Sequence, residues 1–119
     1  MNQTNYLEEE IRPWGKFYVI QSNTNYKIKR IEVNPGQKLS YQFHNKRSET
    51  WTIIDGSGKI TLNDKVINYS KGDNIIIPKG MKHRIENTEN YKTIFIEVQT
   101  GEYFGEDDIV RLDDKYNRI

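Results

Sequence analysis

The chain contains two histidines, His44 and His83, and each lies near side chains that bind metal ions. Gln42 is two residues before His44, and Glu49 is five residues after it. Imidazole nitrogens and carboxylate oxygens suit Zn, Fe, Mn, Co or Ni, and an amide oxygen can fill a fourth position. These residue types predict one divalent metal ion with Gln42, His44, Glu49 and His83 as its ligands.

The four candidate ligands fall within two segments that begin with glycine, 36–56 and 72–87. Glycine allows tight turns in which a side chain would clash, and Pro78 stiffens the approach to a turn in the second segment. Gln42 and His44 are expected on the same face of a strand, because alternate residues of a strand share a face. Glu49 and His83 lie beyond that strand. A barrel is therefore expected to bring all four together.

Short apolar runs separated by turn residues recur along the chain, a pattern typical of an all-β sandwich or barrel. They predict strands over 16–21, 26–33, 39–44, 49–54, 59–62, 65–69, 74–77, 83–86 and 93–99. Helical structure is expected only near the ends, as a turn over 6–10 and a short helix over 106–111. So many short strands favour antiparallel β closure.

The segment 39–44 has two different faces. Its even-numbered residues are polar and its odd-numbered residues are apolar: Ser40, Gln42 and His44 against Leu39, Tyr41 and Phe43. We expect the polar face to line a barrel lumen and the apolar face to pack on a neighbouring sheet or subunit. An apolar outer face favours association, and a homodimer is predicted.

The overall charge excludes several classes of partner. Eighteen Lys and Arg against 17 Asp and Glu give a net charge of +1, so no strong field attracts nucleic acid or an anionic membrane. No apolar run approaches the length of a bilayer span, and the N-terminus lacks a signal-peptide pattern, which predicts a cytoplasmic protein. The absence of cysteine excludes disulfides, thiolate metal sites and cysteine nucleophiles.

The two glycine-bounded segments resemble the two cupin motifs. The first has Gly36, Gln42, His44, Glu49 and Gly56, and the second has Gly72, Pro78-Lys79-Gly80, His83 and Asn87, at the family's spacings. The resemblance implies a double-stranded β-helix, which is a jelly-roll-like barrel. Gln42 stands where the first motif has a histidine. Phosphomannose isomerases of the cupin superfamily use a glutamine among their zinc ligands, so zinc is the implied ion.

A longer resemblance covers most of the chain. The segments Arg12-Pro13-Trp14-Gly15, 39–44, 47–51 and 105–111 are similar to the type II mannose-6-phosphate isomerase domain. In that family the domain is often the C-terminal part of a bifunctional enzyme, behind a mannose-1-phosphate guanylyltransferase. The sequence lacks that part, and we expect a stand-alone domain over 1–119. Its barrel core is predicted over 11–100, with a C-terminal extension over 101–119.

The resemblance implies conversion of mannose 6-phosphate to fructose 6-phosphate through an enediol, with a sugar phosphate as the small-molecule partner. The reaction needs a base, and Glu97 is the candidate because it shares a strand face with Phe95 and Gln99. Lys29 is assigned to the catalytic set. Lys27, Arg47 and Trp51 are predicted to bind substrate, because cations hold phosphate.

Two other functions fit the same residues. Lys46 and Thr50 stand where many family members have histidine, which favours a non-catalytic cupin that binds a sugar or nucleotide sugar. Without Gln42 as a ligand, His44, Glu49 and His83 form the two-histidine, one-carboxylate set of a non-haem iron oxygenase.

Overall fold

The computed structural model describes residues 5–118 and shows two antiparallel sheets facing each other. The six-stranded sheet has the order β1-β2-β3-β10-β5-β8, and the five-stranded sheet has the order β11-β4-β9-β6-β7. The strands are β1 (Glu8–Arg12), β2 (Gly15–Ser22), β3 (Tyr26–Val33), β4 (Tyr41–His44), β5 (Arg47–Asp55), β6 (Gly58–Leu62), β7 (Lys65–Tyr69), β8 (Asn74–Ile77), β9 (His83–Asn87), β10 (Thr93–Gly101) and β11 (Ile109–Asp113). A short 3-10 helix spans Glu106–Asp108. The all-β prediction is confirmed.

The inward faces of β3, β10 and β5 change from polar to apolar along their length. Their directly opposed residues form three rows: Lys27–Gln99–Glu49, Lys29–Glu97–Trp51 and Ile31–Phe95–Ile53. Directly opposed residues of neighbouring strands project from the same face of a sheet. The apolar row is buried and belongs to the hydrophobic core. The lumen therefore has an apolar end that stabilises the barrel and a polar end where charged side chains collect.

Two turns show why the chain reverses where it does. Asn63 and Asp64 both have positive φ, at 45° and 70°, and connect β6 to β7 as a tight hairpin. Gly56 directly follows β5 and has a φ of 101°. A Cβ at this position would lie 2.5 Å from Thr93 Oγ1. Gly56 thus lets the backbone pass close to the start of β10.

Three local predictions are wrong. The turn expected over 6–10 is largely strand β1, which pairs with β2. The helix expected over 106–111 ends at Asp108, and the chain continues as β11 beside β4. Leu39 belongs to the buried core, because β4 begins at Tyr41 and the alternation does not extend back to Leu39. In the first two cases, pairing with a neighbouring strand overrides local preference.

Nothing in the described part of the chain forms a helix with the length and apolarity needed to span a bilayer.

Candidate metal centre

Three candidate ligands meet at the polar end of the lumen. His44 ends β4, Glu49 lies on β5, and His83 begins β9; all three are buried. One ligand atom of each lies within 4.8 Å of the others. His44 Nδ1 is 3.6 Å from Glu49 Oε2, and His83 Nε2 is 3.9 Å from Glu49 Oε1. Ligand atoms around a tetrahedral zinc ion lie about 3.3 Å apart, so a small inward shift would suit an ion.

The hydrogen bonds of the two histidines show which ring nitrogens are available to a metal ion. His83 Nδ1 lies 2.9 Å from the Met81 carbonyl oxygen, which only accepts, so Nδ1 carries the proton. Nε2 is then a buried lone pair with no hydrogen-bond partner among the described residues. Burial, with the nearby Arg47 and His83, lowers the pKa of His44 to about 4 against the pull of Glu49. His83 Nε2 is therefore available to a metal ion, whereas His44 would have to release its Nδ1 proton or the Arg47 hydrogen bond to Nε2. With Glu49 between the two rings, the donor types fit one divalent ion.

Gln42 lies beside these three residues. It is two residues before His44 on β4 and directly opposite His83 on β9, and it lines the cavity above the cluster. Its side chain is therefore on the same face as those of both histidines.

Arg47 is the counter-charge inside this cluster. Its Nε donates to Glu49 Oε2 at 2.9 Å, and its Nη2 donates to His44 Nε2 at 2.9 Å. Burial would raise the pKa of Glu49, but His83, Arg47 and His44 outweigh it and the pKa is lowered. A metal cation bound to His44 and Glu49 would therefore compete with the Arg47 guanidinium for the same two side chains.

Trp51 joins the ligand set to a second buried carboxylate. Its indole Nε1 donates to Glu49 Oε1 at 3.0 Å and to Glu97 Oε1 at 3.1 Å. The other oxygen of Glu97 accepts from Gln99 Nε2 at 2.7 Å. Burial, followed by the charge of Glu49, raises the pKa of Glu97 to about 8. Only 1% of Trp51 is exposed, so it holds the two carboxylates rather than offering a surface.

An open cavity leads from solvent to these groups. Lys29 lies on its wall opposite Glu97, with Nζ 3.5 Å from Glu106 Oε2 and 4.2 Å from the centroid of the Phe17 ring. Glu106 Oε2 also lies 3.6 Å from Arg47 Nη1. Lys27 is half-buried on the same strand face, and the cavity lining formed by residues 5–118 does not include it.

Comparison with known proteins places this site in a family. The family described as mannose-6-phosphate isomerase C-terminal matches residues 1–114. The chain belongs to that family. It is 40% identical over 111 residues to mannose-1-phosphate guanylyltransferase ManC of Salmonella typhimurium, covering 93% of this chain. It is 41% identical over 107 residues to the xanthan biosynthesis protein XanB of Xanthomonas campestris, covering 90%. The chain spans 23% of the length of each of these relatives.

Solved structures confirm the cupin fold for this member of the family. A Klebsiella pneumoniae protein with a double-stranded β-helix domain has a TM-score of 0.71 at 23% identity, with 82% of this chain and 83% of that chain covered. The capsular polysaccharide assembling protein CapF of Staphylococcus aureus has a TM-score of 0.75 at 22% identity, with 89% and 34% covered.

Sequence reasoning located most of this site and missed part of it. Gln42, His44, Glu49, Trp51 and Glu97 come together with His83, Arg47 and Lys29 as expected, although their roles stay predictions. Glu106 and Asp108 lie in the segment predicted to be a short helix and are not among the predicted site residues. Asp108 instead accepts hydrogen bonds from the backbone N–H groups of Asn45, at 3.3 Å, and Lys46, at 2.9 Å, which holds the β4–β5 turn in place. Three acidic residues directly before a strand were the available signal.

Proposed function

We propose that this domain is a metal-dependent aldose–ketose isomerase that interconverts mannose 6-phosphate and fructose 6-phosphate. One observation carries the proposal. A buried carboxylate outside the ligand set, that of Glu97, lies beside the ligand Glu49 at the base of an open cavity, because one Trp51 indole N–H holds both. Membership of the mannose-6-phosphate isomerase C-terminal family supports the substrate.

In this proposal one group of residues binds the metal ion and another transfers the proton. His44, Glu49, His83 and Gln42 would hold the ion, which we propose to be zinc. A bound divalent ion supplies a positive charge that polarises the sugar carbonyl and stabilises the developing negative charge. A Glu97 oxygen takes the proton from C2 of the aldose and returns it to C1. Between these two steps the O1 oxygen gains a proton and the O2 hydroxyl loses one, so the enediol becomes the ketose. Trp51 and Gln99 keep the Glu97 carboxylate in position. Lys29, opposite Glu97, steadies the substrate hydroxyl groups as their charge changes.

A non-catalytic sugar or nucleotide-sugar binding domain is the second candidate. It is favoured by the names of the relatives, which are guanylyltransferases and a xanthan biosynthesis protein of which this chain spans only 23%. The non-haem iron oxygenase is the weakest alternative, because Gln42 lies beside His44 and His83 on the same face and the family is named for an isomerase.

Two substitutions separate ion binding from proton transfer. In Glu49→Gln we expect loss of both the bound metal and turnover, and in Glu97→Gln we expect retained metal with turnover reduced at least about 100-fold. Glu89→Gln changes a half-buried carboxylate that does not line the cavity, and it is the matched control. The measurements are elemental analysis and a coupled mannose-6-phosphate isomerase assay, with and without a chelator. Undiminished turnover in Glu97→Gln would reject Glu97 as the base, and metal without turnover in the unmodified protein would favour the binding role.

The oligomeric state and the cellular location stay predictions. Ile76 on β8 alternates with buried neighbours and is 70% exposed on the outer face of the six-stranded sheet, which is consistent with the predicted homodimer. A cytoplasmic location likewise rests on the sequence alone.

A further inference from the structure

One strand row connects the candidate metal centre to an arginine that the sequence did not single out. On the five-stranded sheet, Arg111 of β11 is directly opposite Gln42 of β4, and Gln42 is directly opposite His83 of β9. Directly opposed side chains share a face, and Arg111 lines the same cavity as Gln42 and Glu49. Two strand spacings separate Arg111 from His83, which is about 10 Å between their backbones.

The guanidinium of Arg111 is held by nothing in the described chain. Its Nε is buried without a hydrogen-bond partner, and among residues 5–118 we find no side-chain hydrogen bond or ion pair to it. A buried donor without an acceptor costs free energy that a bound acceptor would recover. The position therefore favours a ligand that accepts hydrogen bonds.

Three further arginines, Arg12, Arg47 and Arg118, line the same cavity, and all are already held. Arg47 donates to Glu49 and His44. Arg12 Nη1 lies 3.0 Å from Glu10 Oε1, and Arg118 Nε lies 2.7 Å from Asp114 Oδ2. Desolvation, followed by the charge of Arg118, lowers the pKa of Arg111, although Asp114 and Glu106 oppose this. Four guanidinium groups facing one cavity, one of them unpaired in the described structure, favour an anion.

We propose that Arg111 binds the phosphate group of the sugar phosphate, with Arg12 and Arg118 adding positive charge around it. A planar guanidinium matches a phosphate monoester through two parallel N–H donors. The row then sets the orientation of the sugar phosphate in the cavity. Its phosphate lies at Arg111, and its reacting carbons lie near His83 and Glu97. Arg47 already donates hydrogen bonds to His44 and Glu49, so we do not assign it to the phosphate. The identity of the phosphate compound rests on the proposed function, but the oxyanion subsite is measurable without turnover.

The test is binding of inorganic phosphate, followed by calorimetry, to the purified full chain. We expect Arg111→Gln and Arg111→Lys to weaken phosphate binding by about tenfold or more, because a charge-assisted pair of hydrogen bonds is lost or halved. Arg30→Gln is the control, since Arg30 lies on the outer face of the six-stranded sheet and pairs with Glu32. Metal content should be equal in all four proteins. In the isomerase assay, Arg111→Gln should raise KM far more than it lowers kcat.

The outcomes separate the subsite from the proposed function. Phosphate binding that depends on Arg111 in a protein without turnover would reject the isomerase and support the subsite. Turnover with phosphate affinity and KM unchanged in folded Arg111→Gln and Arg111→Lys would overturn the subsite and leave the isomerase standing. Absence of phosphate binding in the unmodified protein would also overturn it. Circular dichroism and metal content report whether each variant is folded.

Discussion

At the scale of single residues, the site depends on donors that each serve two acceptors. The Trp51 indole N–H lies between Glu49 and Glu97, and the Arg47 guanidinium lies between Glu49 and His44. Buried carboxylates without such donors would be costly. Positioning of the reactive groups and stability of the polar end are therefore linked through the same few hydrogen bonds.

Replacing Trp51 by phenylalanine tests this link. Trp51→Phe removes the N–H from both carboxylates while keeping an aromatic ring against Phe95, whose centroid lies 4.6 Å away. We expect a loss of about 1–3 kcal/mol in unfolding free energy. Activity or metal affinity should fall about 10- to 100-fold, as is typical when a partner of a metal ligand is lost. Urea unfolding, metal titration and the isomerase assay measure these effects.

Trp14→Phe is the matched control for that prediction. Trp14 is also a buried tryptophan of the core, but its indole makes no hydrogen bond to Glu49 or Glu97. Trp14→Phe should lower the free energy of unfolding without a comparable loss of metal affinity. Equal effects of the two substitutions on metal affinity would show that Trp51 acts only by packing.

The residues that the sequence revealed are those whose chemistry is rare in this chain. With two histidines in 119 residues, His44 and His83 stand out, and motif spacing adds Glu49 and Gln42. Glu106 and Arg111 could not be found in the same way, because charged residues make up 29% of the chain. Their roles depend on β11 pairing with β4, a contact between segments more than 60 residues apart. Local patterns carry no information about such a contact.

At the scale of elements, two glycines of the first motif differ in what they permit. Gly36 and Gly56 both have positive φ, at 72° and 101°. A Cβ on Gly36 would meet nothing within 4 Å, whereas one on Gly56 would lie 2.5 Å from Thr93 Oγ1 and 2.8 Å from Thr93 Cα. The first glycine serves backbone conformation alone, and the second also allows β5 and β10 to approach.

Alanine substitutions should separate these two requirements. Gly36→Ala should cost about 1–2 kcal/mol, which is the penalty of a left-handed conformation for a residue with a Cβ. Gly56→Ala should cost a further amount of about 1–3 kcal/mol, because the Thr93 backbone must shift to make room. Urea unfolding of both variants measures the difference. Equal losses would mean that the chain relaxes around Thr93 without cost.

Elements in the middle of the chain were predictable because strand alternation there agrees with pairing. In β10, the predicted inward set Phe95, Glu97 and Gln99 is buried along its length. The ends of the chain behaved differently. Segment 6–10 is rich in glutamate, which locally favours a turn or helix, yet β2 offers an unpaired edge and residues 8–12 pair with it as β1. Edge pairing is a tertiary effect, so propensity alone could not predict it.

At the scale of the whole molecule, stability and function occupy opposite ends of one lumen. The apolar end, with the Ile31–Phe95–Ile53 row, supplies the hydrophobic stabilisation. The polar end buries Lys29, Glu49 and Glu97, which costs free energy unless each charge is compensated. The barrel can hold such a cluster because the apolar end stabilises the same strands a few residues away.

The dependence of stability on pH should reflect buried carboxylates outside the site as well. Glu32, on the outer side of β3, lies 3.1 Å from Arg30 Nη2 and 3.1 Å from Lys92 Nζ. Burial alone would raise its pKa, but Lys92 and Arg30 outweigh burial, and the pKa is lowered from 4.5. A lowered pKa means that the unfolded chain takes up the proton first. The stabilisation from Glu32 is therefore complete above the unfolded-chain pKa of 4.5, and it is lost as the pH falls through the folded-state pKa.

Glu32→Gln should flatten the acid side of the stability profile. We expect the variant to be less stable by on the order of 1 kcal/mol at pH 7, because two partly exposed ion pairs are lost. The difference from the unmodified protein should shrink as pH falls below 4.5, since the unmodified protein then loses the same contribution. Urea unfolding of chelator-treated protein at a series of pH values measures this, with Glu89→Gln, a half-buried carboxylate without an ion pair among the described residues, as the control. A difference that stays constant down to the acid limit would show that the two ion pairs contribute nothing and that Glu32 acts through packing alone.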